Sequence, residues 1–463
     1  MTSNFTLDFA KAMATSSINR LIGKFCQYYP MADANNLISM FANRADSSVE
    51  MLWGRYIGYD SIVRCFTLAH PHQKDSERRV NEMHLQNAMS IVIVVADDGL
   101  TAKSTWQSTG HASGKTEKRD TDGYWSYRNY EADFICENGS WKFWHLTIRD
   151  IFLCDYYTSW TEGSVQVPDS EIFKNYFRTD GNAAPDELPS STWHYNKKAI
   201  YANGCPEVPT NYGAVEGVTG SVAVEDDLDV IEKAIEKLEA EIEIKNSMGY
   251  YSFHHVSNMQ RETIALFAPK AENVRSTMMW GAYDGRPGVW ENFMVRHMDY
   301  HEPWRCYGLI LYHVMTSGVI EIADDLKTAR ATWLSPGMSI WPDVNRGVIP
   351  TEKDSATVDW ANIKYGMDYI CEDGKWYWYH QRVYSVFGAP YESCWVDCPA
   401  VKHDWQPSSP EELALYPESP RHGVADREAE GWWGYAPGCI YPDDYPLIPA
   451  PYENFEKDVG YGY

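Results

Sequence analysis

Of the 14 histidines in the chain, a few stand where an imidazole could move a proton. His84 comes thirteen residues before Asp97, just ahead of the β-rich run SIVIVVADD. Imidazole titrates near neutral pH, so it can both take and return a proton; the other role for such a residue is a buried His bonded to backbone. The matching position in the second half is Leu311, and His313 follows two residues later, on the same side of an extended strand. Tyr28 and Tyr29 close the first helical stretch, followed by Pro30 and Asp33, and the corresponding stretch YYSFHHVSN supplies Tyr251, His254 and His255. Tyr–His or His–His pairs can deliver a hydrogen bond or a proton to a leaving hydroxyl or an enolate oxygen. Helix packing is the other use of such aromatic residues.

A second set lies near the end of each half. Trp141, Phe143, His145, Thr147 and Arg149 share one face of a strand by period two, as do Trp376, Trp378, His380, Arg382 and Tyr384. Facing a pocket, His145 and His380 would line it, and Arg149 and Arg382 could hold an anionic or phenolate group. Facing outward, they would be scaffold and rim ion pairs. With 19 Trp and 32 Tyr, pockets in this chain should have flat, amphipathic walls, and Trp106 and Trp333, which close two copies of one segment, are candidates for them. Tyr251 and Tyr384 complete the candidate binding residues. His70 and His297 end a helix and read as capping or surface residues. There is no Gly-rich phosphate loop, no Cys-x-x-Cys and no His-Glu-x-x-His, and Cys394 and Cys398 lack a second ligand pair. No metal or cofactor is expected.

The elements that must position these residues occur twice. ADDGLTAKSTW from Ala96 returns as ADDLKTARATW from Ala323, an offset of 227, and Trp53-Gly54, Tyr56, Gly58, Phe66 and His70 return at the same offset. YEADFICENGSWKFWH from Tyr130 returns as YGMDYICEDGKWYWYH from Tyr365, offset 235. A repeat held in register over this length is a duplication. Residues 1–160 read as the first domain, 161–224 as a Pro-rich tail or linker, 225–398 as the second domain and 399–463 as a Pro- and aromatic-rich tail. Each tail should wrap its own half or the neighbouring one. Apolar spacing over Ser17 to Phe41, interrupted by Pro30, predicts two helices, and the run from Asp226 to Lys245 predicts an amphipathic helix opening the second domain. A short helix is expected after Gly58, then hairpins around Asp-Asp-Gly and Glu-Asn-Gly. Helices first and an antiparallel meander afterwards make an α+β fold.

This order, with the YIGYDSI turn, His84 ahead of SIVIVVADD, and CENGSWKFWHL, resembles the SnoaL-like branch of the nuclear transport factor 2-like superfamily. The resemblance implies two cone-shaped α+β barrels, each a curved antiparallel sheet wrapped around N-terminal helices over an apolar pocket. It also implies cofactor-free proton-transfer chemistry, with His84 where related lyases carry a catalytic His. Pro30 stands where such lyases carry a carboxylate, which favours Tyr–His or His–His pairs drawn from Tyr28, Tyr29, His84, His254, His255 and His313. The expected activity is a dehydratase-type lyase acting on a hydroxylated aromatic or polycyclic small molecule, through a quinone methide with loss of water or a small carbonyl where the substrate is a phenol. A ketosteroid-type isomerase and a non-catalytic small-molecule carrier or scaffold are the other readings. Relatives associate through their sheets, so the two halves are expected to form a pseudo-dimer and the chain to oligomerise.

Charge narrows the partners. The net charge of −25 opposes a phosphate backbone, which excludes nucleic acid as the expected ligand. No stretch approaches the roughly 18 apolar residues of a membrane helix, and the N-terminus does not read as a secretory signal. The ten scattered cysteines read as mostly free thiols in a reducing cytoplasm.

Overall fold

A computed structural model describes residues 3–69, 80–114, 121–157, 181–190, 207–220, 227–297, 308–342, 356–398, 417, 419, 423–429, 434–435 and 446–455. The chain divides into two units, Met1–Glu232 with Ala436–Asp443, and Lys233–Tyr435 with Asp444–Tyr463.

The first unit opens with α1 (Ser3–Met31) and α2 (Ala34–Ser39). Pro30 falls inside the last turn of α1, and Ala32, at a positive φ, ends the helix there. The helix buries Ala14, Ile18, Ile22, Phe25, Cys26 and Tyr29, one stripe at helical spacing. After β1 (Ser48–Met51), β2 (Gly54–Ile57), α3 (Tyr59–Arg64) and a π-helical turn at Cys65–Ala69 come β3 (Met83–Gln86), β4 (Met89–Val95), β5 (Thr101–Gly114), β6 (Asp122–Glu137) and β7 (Ser140–Asp155). They form one sheet in the order β2-β1-β7-β6-β5-β3, with β4 also on β5. The sheet is mixed where a fully antiparallel one was expected, because β1 runs parallel to β7. Since α1 touches β3 and β4 towards one edge and β7 towards the other, the sheet curls around the helix.

The second unit repeats this plan. Its α4 (Leu228–Val256) buries Ala240, Ile244, Met248, Tyr251 and His255 at the spacing of the α1 stripe. Then come α5 (Gln260–Ile264), β8 (Arg275–Met278), β9 (Gly281–Asp284), α6 (Gly285–Trp290), a π-helical turn at Glu291–Arg296, β10 (Ile310–His313), β11 (Thr316–Ile322), β12 (Thr328–Pro342), β13 (Ala356–Glu372) and β14 (Lys375–Pro390). The order is β10-β12-β13-β14-β8-β9 with β11 on β12, the same topology. The turns at Asn138-Gly139 and Asp373-Gly374 have two successive positive φ angles, which accounts for the Asn/Asp-Gly pair in both copies.

Where described, the tails dock on their own units. The Tyr56 hydroxyl donates to Ala183 O at 2.9 Å and Ile57 N to Asp186 at 2.7 Å; their counterparts are Tyr283 to Gly423 O at 3.1 Å and Asp284 N to Asp426 at 2.7 Å. At Gly54 (φ +156°) a Cβ would lie 2.3 Å from Pro185, so the repeated Trp-Gly makes room for the strap. None of the seven described cysteines is joined in a disulfide, and among the described residues no helix is long and apolar enough to cross a membrane.

Candidate functional site

Both units aim polar side chains at the inner face of the sheet, from the same positions but with different chemistry. In the first, His84 and Gln86 project from β3 opposite Ala112 and Gly110. The next inner positions on β5, Ser108 and Trp106, face Arg128 and Tyr130 of β6. Arg128 in turn faces Asp150 of β7. Ser108 donates to Gln86 at 2.8 Å, and Arg128 Nε donates to Asp150 Oδ1 at 3.0 Å within an ion pair almost wholly withdrawn from solvent. Burial works against the Arg128 charge, but Asp150 and the Tyr29 and Tyr130 phenols outweigh it and raise its pKa. Burial likewise raises the pKa of both phenols. Trp106 stacks on Tyr130 with ring centroids 4.9 Å apart. Tyr130 Oη, Trp106 Nε1 and Asp150 Oδ2 are buried without a hydrogen-bond partner among the described residues.

In the second unit the Tyr29 position of the helix is His255, and Gln86 is replaced by His313, facing Gly337. His255 lies 5.3 Å from His297 and 5.6 Å from His313 between ring centroids, and Tyr251 packs on it at 5.0 Å. All three imidazoles are buried. Burial, reinforced for His255 by its two neighbours, drives their pKa values down, to about 4 for His297 and His313 and well below the usual value for His255. His297 Nδ1 is 2.9 Å from Asn292 O, whereas Nδ1 of His255 and of His313 has no hydrogen-bond partner among the described residues. Ser252 of α4 donates to His313 O at 2.6 Å and holds β10 against the helix. Gly337 has no room for a side chain, since a Cβ would lie 2.4 Å from His313 Nδ1. Burial also pushes the Tyr251 phenol up to about 12, so it stays protonated at neutral pH.

Not every candidate from the sequence converges on these faces. His84 lies on the inner face of the first unit, and Tyr29 sits beside Arg128. Tyr28 is half-buried, and His254 stacks on the exposed Tyr250 at 6.5 Å. Trp333 is buried like Trp106. The period-two grouping of His145 and Arg149 with Trp141 and Phe143, and of His380, Arg382 and Tyr384 with Trp376 and Trp378, is interrupted by a β-bulge. The register shifts between Asp133 and Phe134 and between Asp368 and Tyr369, which leaves Trp144 and Tyr379 as the extra residues. Beyond the bulge the inner face continues with Leu146, Ile148 and Asp150, or Gln381 and Val383, and the His and Arg residues turn to the other side. There His145 bonds Asp133 at 3.0 Å and Asp46 O at 3.0 Å, and His380 bonds Asp368 at 2.9 Å and Asn273 O at 3.1 Å. Arg149 pairs with Glu131 at 2.9 Å, and Arg382 lies over the Tyr384 ring at 5.1 Å. His297 caps its π-turn but is buried and not a surface residue, because it packs among Phe293, Trp280 and His255. His70 lies outside the described residues.

Arg128 and Asp150 escaped the sequence reading. A signal was present: at offset 235 they become Ile363 and Ser385, which are cross-strand partners at the same place in the second sheet.

The helix and sheet of the first unit match the family model described as a SnoaL-like domain, over residues 11–147. The match lies wholly within the first unit. No curated protein sequence matches the chain. Solved structures similar to parts of it include an NTF2-like protein with a cystatin-like fold from Novosphingobium aromaticivorans, 14% identical, covering 34% of this chain and 89% of its own (TM-score 0.24). A hexachlorocyclohexane dehydrochlorinase from Novosphingobium barchaimii is 15% identical, with 32% and 93% covered (TM-score 0.25). A candidate scytalone dehydratase from Novosphingobium aromaticivorans is 15% identical, with 35% and 98% covered (TM-score 0.26). The match to the SnoaL-like domain ends within β7, and the second unit carries the same strand order and register under its own sequence.

Proposed function

We propose that the chain is a cofactor-independent lyase that eliminates water from a hydroxylated aromatic or polycyclic small molecule, with the second unit as the working half. The observation that carries this reading is the buried group of His255, His297 and His313, in which Nδ1 of His255 and of His313 has no hydrogen-bond partner among the described residues. Imidazoles whose pKa is depressed by burial are neutral at pH 7 and enter the reaction as bases. One of them, His255 or His313, takes a proton from the carbon next to the hydroxyl-bearing carbon. The C–H electron pair becomes the new double bond, the C–O bond breaks, and the hydroxide leaves as water with a proton from Tyr251. Transfer of the captured proton to that donor restores the site. Proton uptake and delivery balance, so no lasting charge is left in surroundings that disfavour imidazolium. For a phenolic substrate the same base takes the phenol proton as the benzylic C–O bond breaks, giving a quinone methide; where that oxygen is a ring ether it stays on the product as a hydroxyl, and a neighbouring hydroxymethyl group leaves as formaldehyde instead of water, its O–H proton going to the base and its C–C electron pair restoring the aromatic ring.

The test is incubation of the full chain with a panel of hydroxylated aromatic and steroid-like compounds, followed by mass and ultraviolet absorbance. Loss of the mass of water, or of formaldehyde, with new conjugation is the expected result. Isomerisation without mass change would replace the lyase with a ketosteroid-type isomerase. Tight binding with every compound recovered unchanged would leave a carrier.

A further inference from the structure

We infer that the first unit holds a second small-molecule site, separate from the histidine group, which binds a flat neutral molecule through its hydroxyl and excludes carboxylates. Its parts are Arg128, Asp150, Tyr130 and Trp106, all 2% exposed or less. Trp106 and Tyr130 recur as the paired Trp333 and Tyr365, but the fold does not require Arg128 and Asp150. The same cross-strand pair in the second sheet is Ile363 and Ser385, so this register tolerates an apolar residue facing a small one. A buried ion pair is seldom favoured over an apolar alternative of the same shape, and its retention in one copy alone points to a use other than stability.

The unfilled valences define the ligand. Asp150 Oδ1 is taken by Arg128 Nε, while Asp150 Oδ2 has no donor among the described residues and is free to accept from a ligand hydroxyl. Tyr130 Oη and Trp106 Nε1 are donors without an acceptor among the described residues, next to each other on paired strands, and would serve the ligand's oxygen or a second acceptor. Arg128 and Asp150 cancel in charge, and the oxygen left open belongs to a carboxylate. An anion would meet that oxygen at close range in a low-dielectric setting, whereas a neutral hydroxyl satisfies it. The stacked rings of Trp106 and Tyr130, with Phe25 edge-on to Tyr130 at 6.5 Å, supply flat apolar walls.

The probes are 2-naphthol, 2-naphthoate and naphthalene, which share one ring system and differ in the polar group, titrated calorimetrically into the full chain near neutral pH. 2-Naphthol is expected to bind at least about tenfold more tightly than either of the others, the discrimination of a well-formed polar contact. The double variant Arg128→Ile/Asp150→Ser, which copies the second unit's pair, is expected to lose that preference both in wild type and in a His255→Ala background. Its thermal melt, compared with wild type, verifies that it folds. Naphthoate binding as tightly as naphthol, in unaltered protein, would overturn the proposal whatever the variants do. So would an unchanged naphthol preference in the folded double variant, which would leave the pair a purely structural one. Because the probes are not turned over and the His255 background is included, these outcomes are independent of whether the second unit is a lyase.

Discussion

Acidification should destabilise the second unit through its buried imidazoles, by an amount that can be worked from the structure. His297 and His313 have folded pKa values of about 4, against about 6.5 in an unfolded chain. Folding stability rises with pH wherever the unfolded state binds more protons, so here it is lost as pH falls from about 6.5 towards 4 and the loss levels off below that. At about pH 5 each residue costs about 2 kcal/mol relative to pH 7, about 4 kcal/mol for the two. His255 adds to this in the same direction. The perturbation is His313→Gln, which installs the residue that the first unit carries at this register as Gln86. Urea unfolding followed by fluorescence and circular dichroism at the two pH values, in wild type and variant, gives the difference of differences. That comparison cancels carboxylates titrating elsewhere. The variant should lose about 2 kcal/mol less than wild type on acidification. An equal loss in both proteins would refute the assignment of His313 as a buried neutral imidazole.

Asp150→Ala should cost about 3 to 5 kcal/mol, because it strands the Arg128 charge in the interior, while Arg128→Ile/Asp150→Ser should cost much less; thermal melts rank the two. Gly337→Ala should destabilise the second unit by about 1 to 3 kcal/mol, since its Cβ would meet His313 Nδ1 and Tyr312 O at 2.4 Å, and urea unfolding checks the size.

The two sheets of like strand order, the helices and the hairpins were legible because each rests on a local rule repeated at two offsets. Pro30 marked the end of α1 and Asn138-Gly139 the last turn. The parallel pairing of β1 with β7 was not legible, because it joins segments about a hundred residues apart and leaves no local pattern. At the candidate site, His84 and Tyr29 were singled out by the family resemblance and His255 and His313 by the register of the second half, and the structure brings His255 and His313 together. The strand faces failed at one point. Period two holds only in an unbroken strand, and the bulges at Trp144 and Tyr379 turn His145, Arg149, His380 and Arg382 away from the inner face. Arg128 and Asp150 were missed because two charged residues on a strand read as exposed unless their cross-strand pairing is known.

The most direct test of the account is turnover of any substrate that the panel yields, measured for His255→Ala and His84→Ala beside wild type. His255→Ala should lose about 10²-fold or more, the usual scale of a general base, while His84→Ala, in the other unit, still converts the substrate. Loss in His84→Ala with full activity in His255→Ala would place the chemistry in the first unit and contradict the account.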